Sequence, residues 1–230
     1  MKKGLILFYM LFHSLSAVFC QKKPDSTFLL REYLPDGSYH AVFVQPNKNS
    51  EYKKNLQVHF DSTIAFQQLN ELKDSTGITV RKHSIPGAIR KTWHSLYLYK
   101  GKYYLYHPSD PGTSQWIRIT DSSIIELYFD PGIVVSALLK VEKKQGGLKL
   151  DFTNMQEKNV SMTIHQIDAK KGISIFERHY GPPEIRYTLM VSEDKLHLFP
   201  IITNFSKESR VDEWKFDAPN FQYLLLKSKR

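Results

Sequence analysis

From Trp93 to about Thr203 the chain alternates short apolar stretches with turn-forming residues, and successive stretches pair naturally as β-hairpins. Five hairpins follow one another with no intervening helical period, a pattern that argues for an antiparallel meander. An open meander exposes two unpaired edges, and closing the sheet on itself removes both. The expected fold is therefore all-β, an antiparallel meander closing into a barrel, with a two-sheet sandwich as the second choice.

Side-chain patterning sets an expected register for most hairpins. In Trp93–His107 a two-residue Lys100-Gly101 turn pairs Leu98 with Tyr103 and Tyr97 with Tyr104. One face then carries Leu96, Leu98, Tyr103 and Leu105, and the other Tyr97, Tyr99, Tyr104 and Tyr106. Neither is a plain solvent face. In Gln115–Phe129 a three-residue Asp121–Ser123 loop gathers Ile117, Ile119, Ile125 and Leu127 on one face and sets Arg118 across from Glu126. A two-residue Asp121-Ser122 turn would mix Ile and Arg on both faces, so the hydrophobic pattern favours the longer loop.

The third hairpin, Ile133–Phe152, turns at Lys144–Gly147 and pairs Val141 with Leu150, Leu139 with Phe152, and Glu142 with Lys149. Val160–Tyr180 turns around Asp168–Gly172. Glu184–Thr203 turns at Ser192–Lys195, pairing Val191 with Leu196 and Leu189 with Leu198. Trp214–Phe216 and Phe221–Leu226 are candidate closing strands. The barrel so described is calycin-like in architecture only, because the Gly-x-Trp of lipocalin first strands is absent.

Upstream of the ladder, Phe28–Val44 reads as a hairpin around Pro35-Asp36-Gly37, where Pro presets φ and Gly accepts a positive one. A polar loop over Gln45–Lys54 leads to a strand at Leu56–Phe60. Asp61 or Ser62 caps a short helix near 63–73, with Ala65, Leu69 and Leu72 on one stripe and Gly77 as its stop. A strand pair through Ile64–Leu69 is the alternative. Ile78–His83 is a further expected strand, followed by a loop containing Pro86-Gly87.

Residues 1–20 read as a signal peptide: Lys2 and Lys3, an apolar Gly4–Phe12 run, and a cleavage site before Gln21. Nine apolar residues are too few for a transmembrane helix, which needs about 17–25. Lipid attachment at Cys20 is disfavoured by the bulky Phe19 before it. Residues 21–230 form one β-rich domain in an exported protein, periplasmic or secreted. That mature chain has 210 residues and no cysteine, so its stability rests on its core rather than on disulfides. The strands are too short for a membrane barrel, which makes the protein soluble and not membrane-spanning.

Losing two lysines and no acid lowers the formal net charge from +9 to +7. Many lysines fall at hairpin tips, where they oppose edge pairing, and the same charge suits an anionic envelope surface. Nucleic acid is not an expected partner, since no recognisable module carries a basic–aromatic motif.

Nucleophile elbows and Gly-rich phosphate loops are absent from the sequence. Eight histidines remain after residue 20, without metal-ligand spacing. An enzyme would need several of His94, His107, His165, His179 and His197 to meet a carboxylate in one cleft. Two Asn-x-Ser sequons, at Asn159 and Asn204, matter only in a eukaryotic secretory route. No catalytic residue, cofactor or metal ligand is assigned.

Aromatic residues carry the strongest site signal, with 13 Tyr and 3 Trp in the chain. Rings with polar handles suit ligand stacking. The candidate ligand-binding residues are Trp93, Tyr97, Tyr99, Tyr104, Tyr106 and Trp116, with Arg118 and Arg186 as charges for an anionic head group. The expected function is non-catalytic binding of an apolar or amphipathic small molecule, lipid-like ones included. A cell-envelope interaction or structural β-sandwich that meets protein or glycan is the alternative, and a hydrolase with a His/carboxylate site the third.

Overall fold

The computed structural model describes residues 26–46, 50–56, 62–110, 115–127, 132–156, 160–181, 183–207 and 211–228. The candidate signal peptide with Cys20, most of the expected Leu56–Phe60 strand, Asp61 and the Asn159 sequon lie outside them.

Eight strands close into an antiparallel barrel. In chain order they are β3 (Thr92–Ser95), β6 (Trp116–Ile119), β7 (Ser123–Leu127), β8 (Ile133–Lys144), β9 (Gly147–Thr153), β10 (Val160–Asp168), β11 (Ile173–Gly181) and β12 (Glu184–Ser192). Each pairs with the next, and β12 returns to β3, so the expected meander and its closure are both realised. The meander has one excursion. Between β3 and β6 the chain leaves to form β4 (Tyr97–Tyr99) and β5 (Lys102–His107), which belong to a second, open sheet. That sheet runs β1 (Thr27–Tyr33), β2 (Tyr39–Gln45), β13 (Ile201–Ser206), β5, β4.

The break at Leu96 divides the expected Trp93–His107 hairpin between two sheets. Leu96 donates its N–H to the Leu189 carbonyl at 2.8 Å and sits 4 % exposed in a core shared by barrel and sheet. Leu105, Ile175, Leu189, Val191 and Ile201 complete that core. Burial of these apolar faces against one another fastens the sheet to the barrel wall. The tip of the hairpin keeps its expected register, Leu98 opposite Tyr103 and Tyr97 opposite Tyr104. Lys100 accepts a φ of 48° to make the tight turn.

The β6–β7 hairpin takes the shorter turn. Ile117 lies opposite Glu126 and Arg118 opposite Ile125, so Arg118 and Glu126 do not face each other. The mixed pattern is tolerated because both sides of this wall are covered. Ile119 and Ile124 face the barrel interior, while Trp116, Ile125 and Leu127 pack outward beneath a helix. That helix is α2 (Ser62–Thr76), the short α1 (Glu51–Lys54) preceding it in the segment expected to be loop. Ala65 and Leu69 supply its contact, so the amphipathic stripe is used as expected, and no strand runs through Ile64–Leu69. Gly77 ends the helix at φ +68°, its N–H on the Lys73 carbonyl.

The β8–β9 pair holds Val141 opposite Leu150 and Glu142 opposite Lys149. A bulge shifts the rest, so Leu138 rather than Leu139 faces Phe152. The Glu142 carboxylate pairs along its own strand, with Lys140 and with Lys144 at 3.1 Å, while Lys149 turns to Asp151 at 3.0 Å.

Four expected strands are absent. Trp214–Phe216 forms no strand, and the chain there meets the second sheet through an isolated bridge from Asp217 to Leu98. Residues 78–86 are irregular: His83 bonds the Asp121 and Leu138 carbonyls, and Ile85 with Ile89 joins the interior cluster and plugs one barrel end. After β12 the chain forms a 3₁₀ helix, Glu193–Leu198, instead of folding back as a hairpin. It is a crossover, because β13 joins β2 antiparallel and β5 parallel in the other sheet. At the C-terminal side, Phe221–Ser228 forms helix α3, whose Phe221, Leu224 and Leu225 pack on the shared core. Their i, i+3, i+4 spacing is helical.

Candidate functional site

Strand alternation decides what the barrel contains. Trp93, Ile119, Ile124, Leu138, Leu150, Phe152, Met162, Ile164, Phe176 and Met190 fill one continuous interior cluster. The packing is tight at the plugged end. Toward the other end it opens into a cavity of about 160 Å³. Ile117, Met162, Phe176 and Met190 line it with apolar surface, and Glu126, Arg178, Tyr180, Arg186 and Thr188 add polar groups.

Arg178 on β11 and Glu126 on β7 form an ion pair across the lumen. These strands are four steps apart in either direction around the eight-stranded ring, so the two side chains reach from opposite walls. Their side chains are 9 % and 5 % exposed. The Arg178 guanidinium also lies 5.4 Å from the Phe152 ring centre and donates to the Tyr180 hydroxyl at 3.2 Å. Cation–π contacts and a neutral acceptor thus supplement the buried counter-charge. Arg186 stands directly opposite Arg178 in the β11–β12 register. Its guanidinium lies 5.0 Å from the Tyr180 ring centre and pairs with Glu184 at 2.6 Å on the exposed rim.

The residues named from sequence are spread over several places. Trp93 is inside the barrel, 2 % exposed, with its indole N–H on the Ile89 carbonyl and its ring edge-on to Phe176. Trp116 packs under α2 and borders the cavity, and Arg186 lines its mouth. Arg118 points outward, its Nε on Thr92 Oγ1 at 2.9 Å, in a surface groove with Arg90 and Lys91. It pairs with Thr92 near where Ser192 meets Trp93, and Arg186 lies six residues back along β12, about 20 Å away at roughly 3.3 Å per residue.

Tyr97, Tyr99, Tyr104 and Tyr106 do share a face, as the hairpin pattern requires, but of the second sheet. Phe216 packs on Tyr97 and Tyr106 at ring distances of 4.5 and 4.9 Å, and Trp214 on Tyr99 at 5.8 Å. The strap carrying these two rings is fastened by Glu213. Its carboxylate accepts from the Tyr106 hydroxyl, from Ser109 Oγ at 2.8 Å and from the Asp110 N–H at 3.0 Å. Burial pushes the Glu213 carboxyl up, but these hydrogen bonds outweigh it and hold the group below its ordinary value. Burial and the Glu213 contact together raise the Tyr106 phenol.

The histidines occupy separate places. His165 and His179 share the Glu177 carboxylate on the outer barrel wall at 2.8 and 2.7 Å. His94 lies 3.8 Å from Glu193, and burial lowers His107 in the second sheet. Asn204 of the second sequon is 1 % exposed and bonded to His40, which closes it to glycan attachment. Among the described residues, no group of three His, Cys, Asp or Glu is arranged to hold a metal.

Sequence reasoning missed Arg178, Glu126 and Tyr180. The available signal was Arg178 at period two with Ser174, Phe176 and Tyr180, a charge on an otherwise buriable face. It was masked because Ile173 and Ile175 make the other face apolar as well. Fold and site together define an up-and-down barrel with a small, charge-lined internal cavity. The chain matches no family model, no curated protein and no solved structure.

Proposed function

We propose that this is an exported, soluble β-barrel protein that binds an apolar or amphipathic small molecule inside the barrel, with no chemical step. The cavity carries the reading: an apolar floor with a few converging polar groups is the usual form of a small-molecule site. A water molecule's share of liquid volume is about 30 Å³, so the space corresponds to about five waters. That suits a single ring or short chain, and a lipid-like ligand would seat only one end there. Export rests on the basic–apolar segment at residues 1–20. Solubility is supported by a barrel apolar within and charged without, as at Lys140, Glu142, Lys149 and Asp151, the reverse of a membrane barrel. No described helix is long and apolar enough to cross a membrane. The interaction-module alternative needs an open aromatic face, and Trp214 and Phe216 cover part of it, packing on Tyr97, Tyr99 and Tyr106.

The test is titration of delipidated protein with an environment-sensitive hydrophobic dye, alongside native mass spectrometry of the protein as purified. Saturable one-to-one binding that Thr188→Phe abolishes, with an unchanged circular dichroism spectrum, is the expected result. Absence of both dye binding and a co-purifying ligand would refute the proposal.

A further inference from the structure

Arg178 and Arg186 are directly opposed cross-strand neighbours, and both line the cavity. Like charges at directly opposite positions destabilise an antiparallel pair. Both guanidiniums also converge on one ring, Tyr180, at 5.6 and 5.0 Å. The lining holds two guanidiniums and one carboxylate, Glu126, which pairs with Arg178 across the lumen. Glu184 meets Arg186 at the rim, where the two side chains are 51 % and 68 % exposed. Such a pair is worth little in water and exchanges readily for a better-placed anion.

We infer that the cavity selects a small amphipathic monoanion, a carboxylate whose head group docks on Arg186 beside Arg178 and whose apolar part lies on Phe176, Met162 and Met190. This rests on the cavity being the binding site proposed above. A guanidinium presents two parallel N–H donors that match the two carboxylate oxygens. Arg186 is suited to be the primary contact, because it is exposed at the mouth and trades one carboxylate, Glu184, for another. Arg178, held across the lumen, sets the depth at which the head group stops. The apolar part then occupies the layer of Phe176 and Thr188, one inward-facing step deeper along β11 and β12, with Met190 a step beyond.

Matched probes test this with the full mature chain: benzoate against benzyl alcohol and hexanoate against hexanol, by calorimetry and by displacement of the bound dye. Each carboxylate is expected to bind about tenfold or more tightly than its alcohol, weakening as salt rises. Arg186→Gln is expected to collapse that ratio to within about twofold, as loss of the charge-assisted pair requires. Equal binding of acids and alcohols in the wild type overturns the anion inference and leaves the cavity reading standing, and needs no variant to be read. A preference that survives Arg186→Gln but vanishes in Arg118→Gln moves the anion to the outer groove and overturns it too. If neither probe nor dye binds, both readings fail.

Discussion

Replacing Glu126 with Gln keeps the size of the side chain and removes the negative charge that faces Arg178 across the lumen. With side chains only 5 % and 9 % exposed, the pair meets solvent only through the small cavity it lines, so water compensates the lost carboxylate poorly. The Tyr180 hydroxyl stays as a partner for Arg178 but carries no charge. Removing one member of a buried ion pair costs about 3–5 kcal/mol. In a domain of this size each 1 kcal/mol shifts Tm by roughly 2–4 °C, so a fall of about 10 °C is expected. The double replacement Glu126→Leu with Arg178→Met removes the charges and their desolvation together, and should lie within about 1 kcal/mol of wild type or above it. Urea unfolding without ligand, compared at a common m value, gives the four corners of the cycle. The anion inference adds an opposite effect: Glu126→Gln leaves two cations in the lining, so the less stable protein should bind benzoate more tightly. A Glu126→Gln variant within about 1 kcal/mol of wild type would show that the pair is solvated or loosely held, and the argument from burial would fail.

Glu213 sets a pH dependence. Its folded value lies below the ordinary 4.5, so its contribution is present above about that pH and is lost as the pH falls through the depressed value. Acidification from pH 5 to pH 3 should lower the urea midpoint of wild type more than that of Glu213→Gln, although the variant starts lower at pH 7. Gly147→Ala should destabilise by about 1–3 kcal/mol despite an extended backbone, because an added Cβ meets the Ile164 backbone carbonyl on β10. Thermal melts would show it, and an unchanged Tm would mean that the strands separate freely there. Lys100→Asn should stabilise by about 0.5–1 kcal/mol, since Asn tolerates the φ of 48° better, less a weak Lys100 contact over the Tyr99 ring. A fall in Tm would count against the turn geometry.

Local patterning was a sound guide wherever one physical cause decided the outcome. The Lys100-Gly101 and Pro35-Asp36-Gly37 turns, the Ala65/Leu69 helical stripe and the Val141–Leu150 register follow from φ preferences and periodicity within a few residues of chain. It failed where both faces of an element are covered. Period-two alternation separates Trp116, Ile125 and Leu127 from Ile117, Ile119 and Ile124, but it does not show that α2 lies over the first set. Assuming a solvated face therefore selected the wrong β6–β7 register and joined Arg118 to Glu126. The helical spacing of Phe221, Leu224 and Leu225 was present in the sequence and was outweighed by an expectation of closing strands.

The sequence by itself determined that the chain is β-rich, that it meanders, and that the four hairpin tyrosines lie on one side of their ribbon. Only the tertiary structure decided that Trp214 and Phe216 pack on Tyr97, Tyr99 and Tyr106, and that Arg178, Arg186 and Glu126 meet in a cavity. The reason is reach. Alternation is a property of neighbouring residues, whereas an ion pair between β7 and β11 exists only once the three strands on either side have closed the ring.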